Sequence, residues 1–475
     1  MKLRVVPLES RTLRLALHRA LMLIALTSWF SFSGQALADD WNIFSLAGDG
    51  SAKRGVAAVS RIPTSMEVWW IAPDGSVQDA YWYENQGWNQ FQLAPPGSAS
   101  LQSGIAAVSR IPTSMEVWWI GPSGSVQDAY WYEGQGWKRF QLAPPGSASL
   151  QSGIAAVSRI PTSMEVWWIG TNGSVQDAYW YESQGWNQFQ LAPPSSVSLQ
   201  SGIAAVSRIP TSMEVWWIGP DGSVQDAYWY QSQGWNQFQL EPAGYASLQS
   251  GIAAVSRIPN SMEVWWIVPN GSVQDAYWYE NQGWWQFQLA FPGSASLQSG
   301  ITARSRFQTS MEIWWIGQDG SVKDANWYET QGWSQFQLAP SGSGSTTSSL
   351  ASTSRLPGTL EIWWIGPNGS VQDAYWYRSP ITLTPSALNN PLRGSDYKGD
   401  WCMGVNTFGW LPVEPVQAGQ LLSGFQDDYS SGGGPFPCIY KTQVLYRGQV
   451  AFNLGQFDKI NQAILIFGVF ADFGG

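Results

Sequence analysis

Two pairs of residues in this chain are spaced as if to act together. A glutamate stands two positions before a tryptophan in Met-Glu-Val-Trp-Trp-Ile (Glu67, Trp69), and an aspartate two before a tyrosine in Val-Gln-Asp-Ala-Tyr-Trp-Tyr (Asp79, Tyr81). An aromatic ring covers the apolar face of a ring-shaped ligand, while a carboxylate accepts hydroxyl protons in charge-assisted hydrogen bonds. Two acids at a suitable separation, one with a raised pKa, are also the machinery of glycoside hydrolysis. Histidine chemistry is a different matter. The single histidine is His18, inside an N-terminal segment that reads as a leader. Without it there is no Ser-His-Asp or Cys-His mechanism and no His-ligated metal. No cofactor is expected.

Both pairs return every 49 residues. The glutamates are Glu67, Glu116, Glu165, Glu214, Glu263, Glu312 and Glu361, and the aspartates Asp79, Asp128, Asp177, Asp226, Asp275, Asp324 and Asp373. The arginine of Val-Ser-Arg keeps the same step from Arg61 to Arg355. Seven copies argue for binding over catalysis, because an enzyme needs one asymmetric site.

The elements that must position these residues are short strands. Each copy divides into four: Gly-Ile-Ala-Ala-Val-Ser-Arg, Met-Glu-Val-Trp-Trp-Ile, Ser-Val-Gln-Asp-Ala-Tyr-Trp-Tyr and Trp-Asn-Gln-Phe-Gln-Leu, separated by Pro, Gly and Ser clusters. Four strands per 49 residues, seven times over, predict an all-β fold, a seven-bladed β-propeller. The seventh copy ends at Tyr377 without a fourth strand, while Trp41–Leu46 matches the fourth-strand pattern. That N-terminal strand is expected to complete the last blade and close the ring, covering an open edge.

Five of the seven hairpins between strands two and three put Pro before an Asp, Asn or Ser followed by Gly, as in Pro73-Asp74-Gly75. Pro sets φ for a type I turn and Gly takes the left-handed position after it, giving a three-residue hairpin with a G1 bulge. Trp69 then lies opposite Asp79 and Glu67 opposite Tyr81. One blade face carries Glu67, Trp69, Asp79 and Tyr81; the other carries Met66, Val68, Trp70, Ala80 and Trp82 and reads as inter-blade core. The Asn-Gly-Ser sequons at Asn172, Asn270 and Asn368 are explained by the same turn.

Residues Ser-Arg-Ile-Pro-Thr-Ser-Met-Glu-Val-Trp-Trp-Ile-Gly-Pro and Gly-Ser-Val-Gln-Asp-Ala-Tyr-Trp-Tyr resemble the units of the Photorhabdus-type bacterial lectins, over roughly residues 41–377. The resemblance implies a propeller that binds fucose and related, often O-methylated, sugars between blades. Its partners would be fucosylated or methylated glycans. The candidate sugar contacts are the seven glutamates and seven aspartates, with Trp69, Trp118, Trp167, Trp216, Trp265, Trp314 and Trp363. To these are added Tyr81, Tyr130, Tyr179, Tyr228, Tyr277 and Tyr375, and the loop tryptophans Trp88, Trp137, Trp186, Trp235, Trp284 and Trp333, with Trp41 serving the seventh copy. The structural alternative is that Glu67 and Asp79 bond Arg61 or backbone amides and hold blades together. Copy six has Lys323 for Gln and Asn326 for Tyr, which predicts a weaker site.

Composition fits this picture. Of 475 residues only 12% are charged, and 32 are Trp. A basic start, an apolar run from Ala20 to Leu26 and Ala36-Leu37-Ala38 read as a signal peptide over 1–38, cleaved after Ala38, so a secreted or periplasmic product is expected. Removing it lowers Lys+Arg from 24 to 19 and Asp+Glu from 34 to 33, a net charge of −14. An acidic surface argues against nucleic-acid binding. No other stretch is apolar enough to span a membrane. The propeller domain is expected over 39–379, then a linker at 380–390 and a small β-rich module over 391–475 carrying one disulfide, Cys402 to Cys438. Oligomerisation is left open. The expected function is a secreted multivalent lectin for fucose-like, galactose-like or O-methylated sugars. The competing readings are a propeller scaffold for proteins and a glycosidase.

Overall fold

The computed structural model describes residues 41–377, Pro357 excepted. The leader, the linker, the C-terminal module and the Cys402–Cys438 pair lie outside the described residues. There are 28 strands in seven four-stranded antiparallel sheets, with no helix among the described residues. The first sheet, blade 1, is Arg54–Ile62, Ser65–Ile71, Val77–Tyr83 and Gly87–Ala94 in chain order. The next five follow the same plan.

Blade 7 differs. Its order is Trp41–Ala47, Val371–Tyr377, Thr359–Ile365, Leu350–Thr353, so the N-terminal strand fills the outer slot as expected. Trp41 pairs with Trp376, Asn42 with Tyr375 and Phe44 with Asp373. Blade 1 pairs Trp88 with Trp82, Asn89 with Tyr81 and Phe91 with Asp79, which is the same register. The first strands of successive blades touch one another around the centre, and Leu350–Thr353 meets Arg54–Ile62 to complete the circle.

The hairpin register is the expected one: Trp69 pairs with Asp79 and Glu67 with Tyr81. Gly75 carries φ +76° and donates its N–H to the Ala72 carbonyl at 2.9 Å, while Asp74 Oδ1 accepts the Ser76 N–H at 2.9 Å. In blade 2 a Cβ on the equivalent Gly124 would sit 2.7 Å from the Ala148 carbonyl oxygen, so both backbone angle and space demand glycine there.

First strands were expected to run through the arginine. In four blades they end at the residue two before it, as in Ile105–Val108 and Ile203–Val206. In blade 1 the ladder breaks between Val59 and Ile62. Ser60 is the cause: its hydroxyl donates to the carbonyls of Ile62 (3.0 Å) and Ser65 (2.9 Å), a local alternative to ladder bonding. Arg61 therefore projects from an irregular corner.

Cohesion comes from the seams. The Glu67 face of blade 1 presents Trp69, Ile71 and Val77 to Met115, Val117 and Trp119 of blade 2, and all of these are buried. Each large side chain removed from water contributes roughly 2–3 kcal/mol. The same packing recurs around the ring, the last seam joining Trp363 to Met66, Val68 and Trp70. The sequence reading gave core to one blade face; both faces are core over most of their area.

Candidate functional site

Each seam has one rim where the core gives way to charge. Arg61 leaves its bulged corner on the Glu67 side and reaches blade 2. Its Nη1 donates to the Pro112 carbonyl at 2.6 Å, its guanidinium lies 4.8 Å from the Trp131 ring centroid, and its Nη2 donates to the Tyr83 hydroxyl at 2.8 Å. An arginine stacks on the next blade's tryptophan in all seven seams, including Arg355 over Trp82. These are cation–π contacts between blades. In six of the arginines the Nε–H is buried without a partner.

Glu67 stands beside this arginine without being tied to it. Among the described residues one ion pair falls within 4 Å, Arg306 to Glu312 at 3.8 Å. The structural alternative is thus half met: the arginine clamps blades, through an indole and in most seams a carbonyl, and among the described residues only Glu312 lies within ion-pair distance of it. Glu67, Glu165 and Glu361 each keep one buried carboxyl oxygen without a partner. Burial pushes the Glu67 carboxyl up to about 8, and the nearby Arg61 pulls it part of the way back. Glu312, closer to its arginine, is pushed up to about 7 by the same causes.

Deeper in the seam the chemistry is closed. Trp69 and Asp79 have no exposed surface, and the indole N–H donates to Asp79 Oδ2. The same bond joins Trp118 to Asp128 at 2.5 Å and Trp363 to Asp373 at 2.6 Å, and it forms in six of seven blades. Burial, reinforced by the neighbouring Glu67, drives the Asp79 carboxyl well above its usual range. This pair is an internal strut across the hairpin.

Trp88 also changes place. It is the second residue of a strand, not a loop residue, because Gly87 takes φ +70° and ends the turn. It pairs with Trp82 on the face opposite Glu67 and packs edge-on against Trp363 of blade 7, 6.2 Å away. The tryptophan of that type in the Glu67 seam is Trp137 of the next blade, 6.1 Å from Trp69. Trp41 plays this part for Trp314 at 6.3 Å, as expected of a strand borrowed from the N-terminus. Each site thus joins one copy's acid, arginine and tyrosines to the next copy's indoles.

Tyr81 keeps its expected place opposite Glu67, half-buried and packed on Tyr83 and Phe91 with centroids 6.0 Å away. In blade 6 Asn326 takes that position and accepts a hydrogen bond from Ser334, so no ring stands opposite Glu312. Lys323 pairs with Trp315, on the other face, and donates to Gln337 at 2.9 Å. A further change went unnoticed in the sequence: Arg304 stands opposite Glu312 where blades 1 to 5 have valine.

The family model of fungal fucose-specific lectins matches residues 101–357, more than half of the 475. The chain belongs to that family. It is a carbohydrate-binding lectin. Among solved structures it is similar to the lectin BP39L from Burkholderia pseudomallei, with a TM-score of 0.64 and 19% identity over 70% of this chain and 97% of that one. It is also similar to the Aleuria aurantia lectin, described as a six-bladed propeller with a novel fucose recognition mode. The TM-score there is 0.45, with 18% identity over 62% of this chain and 98% of the other. No curated protein matches the chain.

For this lectin the rim offers what a saccharide needs. A sugar hydroxyl both donates and accepts, and the Arg61–Glu67 and Arg355–Glu361 rims each pair an uncommitted N–H with an uncommitted carboxyl oxygen. Partly exposed rings from two blades flank them. Residue type alone hid the arginine, Tyr83 and the next blade's Trp131; the repeating Val-Ser-Arg step was the available signal, read as a scaffold contact. No helix of the described residues is long and apolar enough to cross a membrane.

Proposed function

We propose that this lectin holds fucose-like, galactose-like or O-methylated sugars at the inter-blade rims, several at once, and works outside the cytoplasm after export. One observation carries the reading. At the Arg61–Glu67 and Arg355–Glu361 rims a buried arginine Nε–H and a buried glutamate oxygen, neither with a partner, stand among aromatic rings of both blades, and the arginine and glutamate recur in all seven copies. Leaving such groups unpaired costs about 1–3 kcal/mol each, and a ligand hydroxyl removes that cost. The rings suit an apolar sugar face and a 6-deoxy or O-methyl group. Several weak sites on one ring gain avidity on clustered glycans.

Direct contact is assigned to Glu67, Tyr81 and their equivalents, with the arginine and the neighbouring blade's indoles. Trp69 and Asp79 equivalents support them from below. Hydrolysis is not part of the reading, because the aspartate of the acid pair has no exposed surface to offer a glycosidic oxygen. A glycan array tests it. Discrete fucosylated or methylated hits support the proposal; a silent array with retention of a protein partner favours a protein scaffold, and product release would mark an enzyme. Export is tested separately by N-terminal sequencing of the mature protein, expected to begin at Asp39.

A further inference from the structure

The seven seams are not equal at their outward edge. Blades diverge from the centre, so outer strands are less covered than the strands inside them: Gly87–Ala94 reads mostly exposed or half-buried, whereas Ser65–Ile71 is buried throughout. The outer-strand residue opposite Tyr81 is Asn89, and the same register holds around the ring. This position is asparagine in blades 1, 3, 4 and 7, Lys138 in blade 2 and Ser334 in blade 6. In blade 5 it is Trp285, paired with Tyr277 and 54% exposed. Facing residues of paired strands share a sheet face, so Trp285 stands on the side of Glu263 and Tyr277. Two strand spacings separate the rows of Glu263 and Trp285, about 10 Å. That is the reach of a disaccharide.

We infer that the seam between blades 5 and 6 carries a second sugar subsite, an indole shelf at Trp285 that stacks the residue next to the one held at Arg257 and Glu263. This rests on the lectin reading above and goes beyond it by naming a ligand length for one seam. The occupant is a pyranose glycosidically linked to the primary sugar, laid with its C–H face on the exposed indole. Asparagine, lysine and serine offer no such face, so the other six seams hold the primary sugar alone. The expected gain is about 3- to 10-fold in affinity for the disaccharide at this seam, the range for one aromatic contact.

The test uses the full chain labelled with 5-fluorotryptophan, the Trp285 fluorine resonance being assigned from the spectrum of Trp285→Phe. Methyl α-L-fucoside should shift other resonances and leave that of Trp285 nearly unmoved, whereas L-fucosyl-N-acetylglucosamine should shift it too. Calorimetry with the disaccharide should show one tighter site in the wild type that Trp285→Asn lacks, the methyl fucoside curves superimposing. If other resonances move and that of Trp285 ignores the disaccharide, the shelf is wrong and the lectin reading stands. If methyl fucoside moves it equally, Trp285 belongs to the primary site and the second subsite is wrong. If no resonance moves with either sugar, the fucose reading fails and the shelf with it.

Discussion

The two tryptophans of each Trp-Trp dipeptide have different duties. The first turns toward the next blade and donates to its own hairpin's aspartate. The second turns toward the preceding blade and donates to a loop carbonyl there, as Trp119 does to Ser98 at 3.0 Å. Trp167→Phe would leave Asp177 with neither oxygen partnered in a dry site. A loss of about 1–3 kcal/mol is expected, read as a lower denaturant midpoint with sugar binding otherwise intact. Arg159→Ala should act differently. It removes one rim donor and one blade clamp, so calorimetric stoichiometry for a fucoside should fall by one site while the remaining sites keep their affinity. Uniform weakening at every site would contradict independent rims.

Within one blade, the second and third strands hold two acids that ionise reluctantly. Each glutamate is raised by burial, to about 8 at Glu116 where Arg110 pulls it part of the way back, and each aspartate partner is raised well above its usual range, also by burial. A carboxyl raised on folding binds its proton more tightly in the native state than in the unfolded chain. Its contribution to stability is complete below the ordinary carboxylate pKa and is lost as pH rises toward 8. The melting temperature should therefore fall from pH 5 to pH 8.5. Replacing the glutamates of several blades by Gln should flatten that slope, as differential scanning calorimetry would show. Blade 6 supplies another test at this scale. Asn326→Tyr restores the ring that the other clefts have, and the number of stronger fucoside sites should rise by one.

For the molecule as a whole, closure depends on seven residues from the start of the described chain. Trp41–Ala47 covers the edge of Val371–Tyr377 and sends Trp41 into the seam at Trp314. Deleting 39–48 leaves an open edge strand and a half-empty seam. A melting temperature lower by at least about 5 °C is expected, with a tendency to associate through the bare edge. An unchanged melting temperature would mean that the circle does not depend on this strand. Closure also bears on binding, since a ring fixes the spacing between rims that a clustered glycan must match.

The sequence by itself determined the blade. Strand identity, the Trp69–Asp79 register and the G1 turn follow from near neighbours, because turn chemistry and period-two alternation act within about twenty residues, and the borrowed N-terminal strand follows from the repeat, whose seventh copy lacks the strand that Trp41–Leu46 matches. It could not say which blade a side chain would meet. Seam partners lie about fifty residues apart, and every copy offers the same residue types, so nothing local distinguishes Trp88 from Trp137 as the neighbour of Glu67. Tertiary packing made that choice. It buried Trp69 and Asp79, set Trp88 on the opposite face, and brought Arg61 of one copy onto Trp131 of the next, because wedge-shaped seams fill their depths with indoles and leave only their rims to solvent.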